Sequence, residues 1–264
     1  MRFDSCQKVI FPENLEQQLN KAALLVRSSQ NCIAFTGAGI SVPSGVPDFR
    51  SVSTGLWNRF DPMAVASLSA FRYRPAAFFG WLAPLVNQIL SSIPNPAHYA
   101  LAELQAAGYI QTVITQNIDG FHQKAGSSDV IELHGNLNEF VCPGCHARQK
   151  LIDFQDAWLE KHHLPLCPHC NMHLKPDIVL YEEILPDNAW EQAEFACTHA
   201  DLMLVVGTSL EVMPAASLPY QGLRNGAKLI IMNLSATPLD HLADVVLPLD
   251  IAASLPELCR RVLV

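Results

Sequence analysis

Gly37-Ala38-Gly39-Ile40-Ser41-Val42-Pro43-Ser44-Gly45-Val46-Pro47-Asp48-Phe49-Arg50 follows a short apolar run, Cys32-Ile33-Ala34-Phe35, that reads as a buried parallel strand. Glycines at 37 and 39 allow a tight turn whose N–H groups can meet an anion, usually a dinucleotide pyrophosphate. The third glycine of G-x-G-x-x-G is missing, because Val42 stands there, and Gly45 comes three residues late. Two prolines then hold the loop away from helix. Such a loop alone is also an ordinary structural turn. Asp48, Phe49 and Arg50 at its end add the groups with which a stiff loop could fold over a ligand.

Working outward, further apolar runs recur at Val113-Ile114, Val130-Ile131-Glu132-Leu133, Leu202–Val206, Leu229–Met232 and Val245–Leu247. Helical spacing fills 13–29, 97–107, 187–199 and 215–225. This alternation predicts an α/β fold, a parallel sheet with helices on both faces. Small or polar residues follow nearly every strand: Thr36-Gly37, Gln116-Asn117-Ile118-Asp119, His134-Gly135, Gly207-Thr208-Ser209, Asn233 and, just beyond the last run, Asp250-Ile251. Open parallel sheets bind ligands outside the carboxyl ends of their strands, so these residues are the candidate site.

The bulk numbers narrow the partners. The chain has 264 residues, half of them hydrophobic and only 16% charged, which suits one large domain or two small ones. A formal charge of −8 with no Lys/Arg run argues against nucleic acid. No stretch approaches the roughly 18 apolar residues of a membrane span, and no signal-peptide core is present. A soluble, cytoplasmic chain is expected.

Four of the eight cysteines form two C-x-x-C pairs, Cys142/Cys145 and Cys167/Cys170. That spacing is the signature of a structural zinc ribbon, in which four thiolates close a tetrahedron and leave no position for substrate. Two redox motifs are the weaker reading. Cys32 and Cys197 read as core residues, and most of the five nearby histidines (146, 162, 163, 169 and 173) as solvated.

Taken in order, GAGISVPSGVPDFR, TQNID, an isolated His-Gly and the two cysteine pairs resemble the sirtuins, NAD-dependent protein deacylases, from about residue 14 onward. Details such as Asn95-Pro96-Ala97-His98 look bacterial. The resemblance implies a Rossmann-like NAD-binding domain from 1–54, 93–138 and 175–264. A helical insertion (55–92) and a zinc-binding module (139–174) would form a smaller domain beside it. It also implies NAD as co-substrate, one structural zinc, and acetyl-lysine proteins or peptides as partners. Gly37, Ala38, Gly39, Asp48, Phe49 and Arg50 would form the cofactor loop; Gln116, Asn117, Ile118 and Asp119 the nicotinamide pocket; Gly207, Thr208, Ser209, Asn233 and Ile251 the ribose and adenine end. His134 would be the general base, with Asn117 beside it as a catalytic residue. Val179, Tyr181 and Glu182 would meet the acyl-lysine peptide.

Two departures stand out. Tyr181-Glu182-Glu183 replaces the usual Phe-Gly-Glu, which adds a side chain and a charge near the peptide. Leu82 and Leu85 align with the Tyr and Arg that hold acidic acyl groups in the desuccinylating branch, so acetyl or longer apolar acyl groups are expected. A protein mono-ADP-ribosyltransferase would use the same NAD site. A non-catalytic NAD sensor would not need His134, Asn117 and Asp119 together. A dehydrogenase would normally show the full G-x-G-x-x-G and an acidic residue about 20 positions later.

Overall fold

The computed structural model describes residues 11–48, 55 and 58–264. Phe49, Arg50 and Trp57 lie outside the described residues. A six-stranded parallel sheet has the order β3-β2-β1-β7-β8-β9. Its strands are β1 (Cys32–Thr36), β2 (Thr112–Thr115), β3 (Val130–Glu132), β7 (Leu202–Val206), β8 (Lys228–Met232) and β9 (Val245–Leu247). The order reverses between β1 and β7, so the helices that follow those two strands cover opposite faces of the sheet, the switch point at which open parallel sheets bind ligands.

Period-two alternation sorts the strand residues onto two faces. Cys32, Ala34, Leu202, Leu204, Val206, Ile230 and Met232 face one core. The helices over it are α1 (Glu13–Ser28), α5 (Pro96–Ala106) and α10 (Ile251–Leu263). Ile33, Phe35, Met203, Val205, Leu229 and Ile231 face the other, under α8 (Asp187–His199) and α9 (Ser217–Arg224). Cys32 and Cys197 are buried, as expected. Helix α10 was not anticipated from the sequence, although Ile251, Leu255, Leu258 and Val262 recur at helical spacing and are all buried. Its Arg261 ties the two ends of the chain together by pairing with Glu16 on α1 and with Glu257.

A second sheet, three-stranded and antiparallel, has the order β5-β4-β6, from β4 (Gly135–Val141), β5 (Arg148–Lys150) and β6 (Lys175–Ile178). Two of its strands begin outside the 139–174 boundaries expected for the zinc-binding module. Helices α2 (Pro62–Val65), α3 (Leu68–Tyr73), α4 (Pro75–Ser91) and α7 (Gln155–Leu159) lie on that side, and α6 (Phe121–Ala125) follows β2. Phe78, Phe79, Phe140, Trp158, Cys142 and Cys167 share one apolar cluster. Rings there meet edge to face, as Phe79 and Trp158 do at 5.4 Å between centroids. No single helix among the described residues is long and apolar enough to cross a membrane.

Candidate functional site

The Gly37–Gly39 turn rests directly on the loop after β7. A Cβ on Gly37 would lie 2.7 Å from Thr208 Cβ, and one on Gly39 would lie 2.8 Å from Gly207 Cα. The N–H of Gly37 donates to Val206 O (3.1 Å) and that of Gly39 to Gly207 O (2.8 Å). These two N–H groups are therefore committed to the protein and are not the anion donors expected from the sequence. Glycine is required for close backbone approach. Asn95 braces the same loop, its side-chain nitrogen donating to Ile40 O (2.7 Å) and Ser44 Oγ (2.9 Å). Asp48 is half-buried at the loop's described end.

His134 follows β3 and immediately precedes β4, so it sits where one sheet hands over to the other. Gly135 makes the junction possible. Its φ is +71°, and a Cβ there would lie 2.0 Å from Asp177 O. His134 Nδ1 lies 2.8 Å from Gln116 O. A carbonyl can only accept, so Nδ1 carries the ring proton and Nε2 keeps its lone pair, the form a general base requires. Gln116 in turn donates from Nε2 to Thr208 Oγ1 (3.1 Å). One chain of contacts thus spans the loops after β2, β3 and β7.

Asn117 and Asp119 are both buried and meet through Ser41. Asn117 Nδ2 donates to Ser41 Oγ (3.1 Å), and Ser41 Oγ donates to Asp119 Oδ2 (2.7 Å). Burial raises the Asp119 pKa, against the bonds from the Phe121 N–H and Ser41 and the charge of Lys124. His98 Nε2 lies 3.4 Å from Ser41 Oγ, while its Nδ1 accepts the Asn95 N–H (3.3 Å). Burial, and then the neighbouring His122, push the His98 pKa down to about 3. Burial holds His122 at about 4. Sequence reading singled out neither Ser41 nor His98 for a role. The signal was the Asn95-Pro96-Ala97-His98 capping box, which fixes the His98 ring at the first turn of α5.

The remaining expected residues are dispersed around the same rim. Ala38, Gln116, Ile118, Ser209 and Asn233 are half-buried at strand ends. Asn233 Nδ2 donates to Ser235 O at 2.7 Å. Ile251 turns its side chain into the core below α10 and is 5% exposed, so only its backbone at the helix N-terminus faces the sheet's carboxyl end. The 179–182 segment bridges the two sides. The Val179 N–H donates to His134 O (2.9 Å), and Tyr181 exchanges bonds with Ala66 O and the Leu68 N–H (3.0 Å each). Glu182, in the place of the family's glycine, keeps a left-handed backbone at φ +74°. Its Oε2 accepts the Ser69 N–H (2.8 Å) in the first turn of α3, which offsets part of that strain.

The four expected cysteines converge. Sγ atoms of Cys142 and Cys170 lie 3.3 Å apart, those of Cys145 and Cys167 3.5 Å apart, and all four fall within 4.8 Å of one another. A tetrahedron with Zn–S bonds of about 2.3 Å has S···S edges of about 3.8 Å. The knuckles are near copies. The His146 N–H returns to Cys142 O and the Asn171 N–H to Cys167 O, both at 2.9 Å, and both residues have φ +59°. The thiols fit a closed zinc site. His146, His162, His163 and His169 are exposed nearby, and His173 is half-buried.

The model of the Sir2 family matches residues 37–214. The NAD-dependent protein deacylase 2 of Archaeoglobus fulgidus is 41% identical over 249 residues, covering 94% of this chain and 97% of that protein. The NAD-dependent protein deacetylase of Thermotoga maritima is 41% identical, covering 90% and 94%. Among solved structures, one described for the mechanism and regulation of Sir2 enzymes superposes with a TM-score of 0.88 at 41% identity, covering 94% of this chain and 98% of the other. A Sir2 structure with a p53 peptide and NAD+ gives 0.81 at 39%, covering 92% and 96%.

Proposed function

The chain belongs to the Sir2 family, and from this we propose that it is a cytoplasmic NAD-dependent protein-lysine deacetylase. It transfers the acyl group of an acyl-lysine to ADP-ribose and releases nicotinamide. Its relatives carry the names of NAD-dependent deacylases and deacetylases, and a related structure holds NAD+ with a peptide.

Bound NAD supplies an electrophilic ribose carbon and a nicotinamide leaving group. Gly37, Ala38, Gly39, Asp48, Phe49 and Arg50 would form its cofactor loop, and Gly207, Thr208, Ser209, Asn233 and the backbone of Ile251 would hold its ribose and adenine end. Gln116, Asn117, Ile118 and Asp119 form the nicotinamide pocket. Ser41 fixes the Asn117 amide, so its direction is set before ligand arrives and little reorganisation is left for the reaction. His134 Nε2 takes the proton of a ribose hydroxyl, and the imidazolium so formed stays anchored by Nδ1–H on Gln116 O. Val179, Tyr181 and Glu182 would line the peptide side, with Phe49 and Val179 as apolar walls suited to an uncharged acyl-lysine. The cysteine quartet holds a structural zinc. The NAD-binding domain is 1–54, 93–138 and 175–264, with 55–92 and 139–174 forming the smaller one, whose sheet takes the first residues of β4 and all of β6 from across that boundary.

The observation that carries this reading is the His134–Gln116 bond, because it puts the ring proton on Nδ1, the tautomer in which Nε2 can accept one at the carboxyl edge of the sheet. Incubation with an acetylated peptide and NAD, followed by mass spectrometry of both products, tests it. Loss of acetyl from the peptide with gain of acetyl on ADP-ribose is expected. An ADP-ribosylated peptide that keeps its acetyl group would overturn it in favour of a mono-ADP-ribosyltransferase.

A further inference from the structure

His122, on α6, is 1% exposed, and sequence reading gave it no role. Its Nε2 lies 2.9 Å from Thr36 Oγ1. The Thr36 hydroxyl donates to Thr115 Oγ1 (2.9 Å), and Thr115 Oγ1 also accepts the backbone N–H of Asn117 (3.1 Å). A hydroxyl has one proton. With that of Thr36 committed to Thr115, Thr36 meets His122 as an acceptor, so Nε2 carries the ring proton. Nδ1 is then a bare lone pair, and it is buried without a partner.

We propose that His122 is a positioning residue for Asn117, setting through Thr36 and Thr115 the place of the Asn117 backbone. The inference rests on the reading that Asn117 works at the nicotinamide end of the site. Asn117 is thereby held at two points, its side chain by Ser41 and its N–H by Thr115. A histidine kept only for packing does not account for the arrangement. A phenylalanine would fill similar space and bury no orphan nitrogen, so what the imidazole adds is the directed Nε2–H. The titratable group packed against it is His98, with ring centroids 5.1 Å apart. The ring remains neutral at ordinary assay pH.

Three variants separate this role from simple packing. The carboxamide nitrogen of His122→Gln reaches about as far as Nε2, whereas that of His122→Asn reaches only as far as Nδ1, and His122→Leu has no donor. Loss of one buried donor corresponds to about tenfold. Leu and Asn should lower kcat by about that factor and raise the nicotinamide inhibition constant similarly, with the ADP-ribose Kd within about twofold. Gln should stay within about threefold of wild type on all three. Thr36→Val should match His122→Leu, and the double variant should be no worse than either. Wild-type-like nicotinamide inhibition in His122→Asn would overturn the proposal, as would parallel losses of ADP-ribose affinity and activity in all variants. If His122→Leu fails to fold, the Gln and Asn pair decides. An active wild type with unaffected variants sinks this inference alone, whereas an inactive wild type sinks the deacetylase reading with it.

Discussion

At the residue scale the site depends on which nitrogen of each histidine bears a proton. The His134 tautomer is set by the bond from Nδ1–H to Gln116 O. Replacing His134 with Ala should cut deacetylation by roughly 10²–10⁴, the usual cost of losing a general base, while NAD affinity stays within a few-fold. Steady-state kinetics beside calorimetric NAD binding checks both halves, and a variant retaining a tenth of wild-type activity would refute the assignment. His98 and His122 are the counterexamples, buried and neutral, with pKa values held down to about 3 and about 4. Because these folded values lie below the unfolded value near 6.5, the stability they contribute is complete above pH 6.5. It is lost as pH falls toward 4 and then 3. In that window each adds about 1.4 kcal/mol per pH unit to the slope of stability against pH. Asp119, whose folded pKa is raised, works in the opposite direction just above its unfolded value near 3.9. Urea midpoints between pH 7 and 5 should therefore show a slope shallower by about one proton in His122→Gln. An unchanged slope would mean that His122 titrates normally in the fold.

At the element scale, two sheets of different construction meet at one glycine. Parallel strands place their polar ends together at one edge, whereas β4 and β6 run antiparallel and reach back to the same point. Gly135 is the joint, since a Cβ there would lie 2.0 Å from Asp177 O. The cysteine knuckles hold the far end of that second sheet, and metal binding there is coupled to folding. Changing Cys145 or Cys170 to Ser should release zinc and lower the melting temperature, with activity falling indirectly. Stoichiometric zinc by atomic absorption, together with an unchanged melting curve, would contradict the structural role.

At the scale of the whole molecule the acyl pocket has to be considered against the charge available to it. Leu82 and Leu85 are 0% and 6% exposed within the aromatic core of α4, and neither offers a charge. Arg74, the nearest cation in sequence, donates its guanidinium to Ala64 O (2.8 Å). An unpaired succinyl carboxylate buried there would cost several kcal/mol. Acetyl-lysine peptides should therefore be turned over at least about tenfold more efficiently than succinyl ones, a factor that needs only about 1.4 kcal/mol. Comparing kcat/KM on one peptide scaffold measures this directly, and equal or better desuccinylation would refute it.

The alternating apolar runs and the polar residues that follow them were enough to read the layered sheet and the edge on which the site lies. Period two and period 3.6 are local properties, and a strand's end is marked by its own neighbours. The cysteine quartet was legible for the same reason, because C-x-x-C encodes a knuckle within four residues. Helix α10 is equally periodic, but it begins directly behind a short strand, where Asp250-Ile251 fits a trailing loop as well as a helix start. Tertiary structure alone decided the rest. That Gly37 and Gly39 serve backbone contact with Gly207, that Ser41 joins Asn117 to Asp119, and that His98 and His122 lie behind them, all depend on loops far apart in sequence. Hydrogen-bond direction in a dry interior is set by every partner at once, and a linear chain does not record which partners will meet.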